Sequence, residues 1–242
     1  MATPSILAEL PKYAREAVRF YWETRSRQLQ KQRDAGGSDR GSRSAVTGGA
    51  QMNGFIELLT KLVIEAGIDR AHIYYDQALE LPGYFRPNKK WDFIVNVNGQ
   101  LVAALKANVS SDSFSADDRD AQGAICDALD LWAAYRTSPS SQPRPWVGLL
   151  MFREEALPSN EQRTEISPQA QKCMAFCRRL FLERIYDSAA VMLCHPEAGS
   201  AGEYSDLGDE LTFHSLATSL FMQAAVFSGK IVDMPRYRPI AC

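Results

Sequence analysis

The sequence is poor in the residues that mark the commonest catalytic chemistries. Histidine occurs only as His72, His195 and His214, far apart, which leaves no Ser-His-Asp constellation and no zinc-ligand spacing. The cysteines Cys126, Cys173, Cys177, Cys194 and Cys242 form an odd set without CxxC spacing. Cys173 and Cys177 are one helical turn apart, but no His or Cys pair accompanies them, so buried thiols in a reducing cytoplasm are expected. No apolar run reaches the roughly 18 residues of a membrane span, and the N-terminus carries no signal-peptide pattern. The expectation is a cytoplasmic protein that does not engage a membrane. A surplus of one charge is also missing. With 27 Lys and Arg against 29 Asp and Glu the net charge is −2, so any nucleic-acid surface must be local.

What is present is a globular composition, 45% hydrophobic and 23% charged over 242 residues, enough for a full core. The chain reads as one domain, 1–242. An N-terminal helix and basic loop fill 1–50, a core spans about 51–195, and a C-terminal helix and tail occupy about 196–242. Apolar spacing predicts a first helix over 5–31, which Pro11 either kinks or starts. Its far end is basic: residues 15–43 hold eight Arg/Lys against four acids. The glycine-rich loop over 34–50 is either a solvated linker or a segment that orders on a phosphate backbone.

Further helices are expected at 54–66, 121–136, 168–187 and 210–227, with strands at 71–75, 146–152 and 189–194. The tail over 233–242 reads as irregular. Strands separated by helices of this length predict an α/β fold whose mixed sheet has an antiparallel hairpin first and helix crossovers later. That hairpin is WDFIVNVNGQLVAALKAN, residues 91–108, turning at Asn98-Gly99.

Asp92 opens the first hairpin strand, Lys106 sits near the end of the second, and a basic turn (Arg86, Lys89, Lys90) precedes them. Acid and lysine on neighbouring strands suit metal-assisted phosphodiester hydrolysis, in which carboxylates hold Mg²⁺ and a lysine steadies developing charge. Register decides whether they meet. A two-residue loop sets Asp92 opposite Leu105; a three-residue loop with a glycine bulge sets it on a face with Ala104, Lys106 and Asn108. The plain alternative is an edge-strand Asp paired with a nearby Lys. Arg86, Lys89 and Lys90 suit phosphate contact. Gln51, Asn53, Asn88 and Arg119 suit base edges, each with a plain reading as a loop-satisfying polar group.

Five stretches in order, AVTGGAQMNGF (45–55), LPGYFRPNKKWD (81–92), GQLVAA (99–104), DLWAAYR (130–136) and PWVG (145–148), resemble the XhoI-type restriction endonucleases. The resemblance implies a PD-(D/E)xK restriction-endonuclease-like fold and Mg²⁺-dependent cleavage of double-stranded DNA. It also implies a homodimer on a palindromic site, CTCGAG in this family, and a cognate methyltransferase as a genetic partner. Asp92 and Lys106 would be catalytic, with Asp92 holding the metal.

The family pattern continues after Val-Ala-Ala-x with Glu-x-Lys, where this chain has Lys106-Ala107-Asn108. A gapped alignment keeps Lys106 as the family lysine but puts Ala104 at the acid. Upstream, Ala50 and Asn53 stand where the family has Lys and Asp. Glu57, one turn beyond Asn53, is the candidate replacement metal ligand, with a solvated helix carboxylate as its plain reading. Asp112, Asp117 and Asp118 are weaker candidates. The expectation is a type II restriction-endonuclease-like protein with an altered site. The alternatives are a non-cleaving DNA-binding homologue and an α/β protein unrelated to DNA.

Overall fold

The computed structural model describes residues 5–34, 49–75, 78–110, 119–137, 143–154, 166–194, 196–206 and 209–230. Helix α1 (Leu10–Asp34) begins one residue before Pro11, so the proline sits in the first turn, where its missing N–H costs nothing. Helix α2 (Asn53–Glu65) follows a 3₁₀ turn at Ala50–Met52. Strand β1 (Ile73–Tyr75) starts later than expected, because a 3₁₀ turn capped by Asp69 occupies 70–72. Two short strands, β2 (Glu80–Leu81) and β3 (Lys89–Lys90), pair with each other and frame the basic turn.

The hairpin consists of β4 (Phe93–Val97) and β5 (Gln100–Ser110). Then come α3 (Arg119–Thr137), β6 (Trp146–Glu154), α4 (Pro168–Leu182), β7 (Ser188–Cys194), α5 (Pro196–Gly199), β8 (Ser205–Asp206) and α6 (Phe213–Phe227). Helix α4 stops short of the expected 187, where Arg184 adopts φ 54° and turns the chain toward β7.

The six-stranded sheet has the order β1-β4-β5-β6-β7-β8. The β1-β4-β5 pairs are antiparallel, β5-β6-β7 run parallel, and β8 closes the edge antiparallel. This is the anticipated mixed sheet: each parallel step is bridged by a helix, α3 and then α4. Strand β7 is buried throughout and β6 through Arg153, as expected for parallel strands covered on both faces.

Alternation along the strands divides the core. Phe93, Val95, Ala103 and Leu105 face one layer, packed under α1, α2 and α6. Ile94, Ala104, Val147 and Leu149 face the other, under α3 and α4. The period-2 rule therefore carries Asp92, Lys106 and Asn108 toward the α3/α4 side. The expected loop over 34–50 lies outside the described residues except at its ends, as does the tail over 233–242. Among the described residues no helix is long and apolar enough to cross a membrane.

Candidate functional site

Asn98 (φ 53°) and Gly99 (φ 84°) form a two-residue turn in left-handed conformation, closed by Gly99 N–H donating to Asn96 Oδ1 at 3.0 Å. Val97 accordingly pairs with Gln100 and Asn96 with Leu101, but Val95 pairs with Ala103. The extra residue is Val102, a bulge within β5. The one-residue shift expected from a longer loop thus comes from the strand, while the turn keeps two residues. From Phe93↔Leu105 the register runs on to Asp92 opposite Lys106, and Asp92 N–H donates to Leu105 O at 3.2 Å.

Lys106 Nζ lies 3.1 Å from Asp92 Oδ2. The same oxygen accepts the Ala107 N–H at 2.9 Å. Both side chains keep some solvent access, 38% for Asp92 and 22% for Lys106. Ala104, by contrast, pairs with Ile94 and is fully buried in the α3/α4 layer. The residue facing Asp92 is therefore Lys106. A carboxylate at 104 would point into the apolar core.

Glu57 is exposed on α2, whose Phe55, Leu58, Leu59 and Leu62 pack into the layer on the opposite side of the sheet. Helix α2 thus packs on the side of the sheet away from the layer that Asp92 faces. Asp112, Asp117 and Asp118 lie outside the described residues. Mg²⁺ needs hard oxygen ligands, usually one or two carboxylates with water and phosphate. Among the described residues one carboxylate, Asp92, is present here, and the Lys106 ammonium already lies against it. No group of three or more His, Cys, Asp or Glu able to hold a metal occurs among the described residues. The donor set among the described residues does not fit Mg²⁺.

The basic turn has a different fate. Arg86 Nε lies 3.1 Å from Asp130 Oδ2, and its Nη2 3.1 Å from Asp127 Oδ1. Lys89 Nζ lies 2.7 Å from the same Asp127 oxygen. Asp130 also accepts the Phe85 N–H at 2.7 Å, and Gly83 N–H donates to Arg86 O at 3.1 Å. A Cβ on Gly83 would collide with the Asp130 carboxylate and the Arg86 carbonyl, so only glycine fits there.

Burial opposes ionisation of Asp130, but the Phe85 N–H, the Arg86 guanidinium and the Tyr84 N–H outweigh it and hold its carboxyl below the usual range. Likewise burial disfavours the Arg86 cation, and its bonds to Asp127 and Asp130 overcome that and raise its pKa. Arg86 and Lys89 therefore brace the turn against α3. Lys90 is half-exposed, with Glu80 at 3.8 Å.

Of the base-edge candidates, Gln51 is fully buried, Asn53 is partly buried at the start of α2, and Asn88 is exposed. Arg119 opens α3, and its side chain lies outside the described set. Sequence reasoning missed Asp127 and Asp130 as partners of the turn. Their signal was available: they lie three residues apart, on the helical face of the core residues Ala124, Ala128 and Leu131. It also missed a buried group on the other face of the sheet. There Tyr21 O–H donates to Glu154, whose second oxygen lies 2.7 Å from Arg25 Nη2.

The family model described as Restriction endonuclease XhoI matches residues 31–206, which include the turn, the hairpin, α3 and β6. The type II restriction enzyme BstVI of Geobacillus stearothermophilus is 34% identical over 221 residues, covering 81% of this chain and 99% of that enzyme. AbrI of Azospirillum brasilense is 40% identical over 166 residues, 67% of this chain and 74% of its own length. XhoI of Xanthomonas vasicola is 34% identical over 167 residues, 67% of this chain and 66% of its own. No solved structure matches. The chain belongs to the XhoI family of type II restriction endonucleases.

Proposed function

We propose that this chain is a type II restriction-endonuclease-like protein that recognises a palindromic double-stranded DNA site, CTCGAG-like, as a homodimer, with Mg²⁺-dependent cleavage strongly reduced. The observation that carries DNA recognition is the likeness to three type II restriction enzymes across the segment holding the turn and the hairpin. The weakened cleavage follows from Lys106 standing 3.1 Å from Asp92 where a second carboxylate is needed. Lys90 and Asn88 are the exposed groups of the turn that suit DNA contact. The working location is the cytoplasm, and a methyltransferase of the same specificity is the expected genetic partner.

The test is fluorescence anisotropy with a 20-base-pair duplex bearing CTCGAG and with a scrambled duplex over a salt series. Preferential binding that weakens steeply with salt supports the reading. Equal affinity for both duplexes removes site-specificity, and binding without salt dependence removes DNA as the partner.

A second reading is an active endonuclease in which Asp92 and Glu57 hold Mg²⁺ and Lys106 assists. What favours it is that all three relatives bear the name of type II restriction enzymes. Discrete plasmid fragments that vanish in Asp92→Ala would establish it.

A further inference from the structure

Lys106 is held beside Asp92 by the sheet itself. Its strand is paired on both sides, antiparallel to β4 and parallel to β6, where Lys106 lies against Leu149. The inner neighbours on its face, Ala104, Ile94 and Leu149, are fully buried, so the lysine stem emerges from a packed floor. One Asp92 oxygen receives both the ammonium and the Ala107 N–H. An ammonium has three donors, and one of them serves Asp92. Asn108, two residues along β5, points to the same face and is partly exposed.

We infer that Lys106 is the resident cation of this edge: it stands where a divalent ion would have to sit beside Asp92, and it offers its remaining donors, with the Asn108 amide, to a DNA phosphate. The physical basis is charge. A bare carboxylate repels a phosphate, and a bound cation is needed to bring the two together. Here that cation is covalently part of the chain. Lysine binds phosphate as a point charge, so engagement of DNA at this edge needs no divalent ion. A divalent ion, in turn, meets a carboxylate already neutralised and an ammonium that repels it. The phosphate half of this inference rests on the DNA reading above; the cation half does not.

The two halves are tested separately. Manganese(II) is titrated into the DNA-free protein and followed by electron paramagnetic resonance. The native chain is expected to show no site that Asp92→Asn removes. Lys106→Glu is expected to gain one site that the native chain lacks, because two carboxylates then stand where a carboxylate and an ammonium did. Asp92→Asn in the Lys106→Glu background should abolish it. Lys106→Gln removes the ammonium without adding an acid; it should tighten Mn²⁺ binding less, and it serves if Lys106→Glu does not fold. Native Mn²⁺ binding that Asp92→Asn abolishes would overturn the inference, as would the absence of any gain in both Lys106 variants.

In the second arm, the CTCGAG duplex is titrated in EDTA and in Ca²⁺. Native affinity should agree within about twofold, and Lys106→Gln should lower it severalfold. A gain of tenfold or more with Ca²⁺ would sink the phosphate half. Failure of the duplex to bind under either condition would sink the DNA reading and the phosphate half with it, while the Mn²⁺ result still decides the cation half.

Discussion

Two clusters of lysine, arginine and aspartate lie a few residues apart and behave differently. In the turn, Arg86 and Lys89 pair with Asp127 and Asp130, acids whose side chains are only 3% exposed. At the hairpin, Lys106 pairs with an Asp92 that is 38% exposed. Buried acids must be paired, and losing a partner strands a charge out of water. A half-exposed pair contributes little to stability and is open to a ligand. The same residue types therefore make a buried brace in one place and a solvent-accessible pair in the other, and burial of the acid separates the two. The turn's basic sequence looks like a DNA surface, but its two best-placed cations hold the chain together.

That contrast can be broken most sharply at Asp130. Asp130→Ala should cost about 2–3 kcal/mol by urea denaturation, less than the ~3–5 kcal/mol for a fully buried pair, because Arg86 is 40% exposed. The folded-state pKa of Asp130 lies below its unfolded value. Its contribution is thus complete above the ordinary carboxylate range and is lost as pH falls through the lower, folded value. Acid titration of native protein and Asp130→Asn should show that part of the acid destabilisation missing from the variant.

Gly83→Ala comes next, at about 1–3 kcal/mol, because the new methyl group must displace Asp130 or the Arg86 backbone. Asp92→Asn should move stability by at most ~1 kcal/mol in the same denaturation assay. Any larger loss would mean that the hairpin pair is a brace too. Smallest is Lys90→Ala, within about 0.5 kcal/mol in stability. Its effect should show instead as a salt slope of DNA binding shallower by about one unit.

Much of the architecture was legible from periodicity. Strands β6 and β7 read as unbroken apolar runs because parallel strands are covered on both faces, and the Asn98-Gly99 turn announced the hairpin. The bulge at Val102 was not legible, because an apolar strand offers no local signal of where its ladder slips, and yet that slip sets Lys106 opposite Asp92. The candidate site was legible as a pair, Asp92 and Lys106. For Glu57 the sequence was silent on placement, because nearness to Asn53 says nothing about the face of the sheet on which α2 lands. Arg86 and Lys89 read as phosphate contacts because their partners lie about 40 residues away on α3, signalled only by the position of Asp127 and Asp130 on its core-facing side.

The measurement that bears most directly on the Asp92–Lys106 pair is incubation of the native protein with CTCGAG-containing plasmid and Mg²⁺, run beside a gel shift on the same DNA. The expected result is a site-specific shift with the plasmid left supercoiled. Discrete linear fragments at native strength, lost in Asp92→Ala, would contradict it.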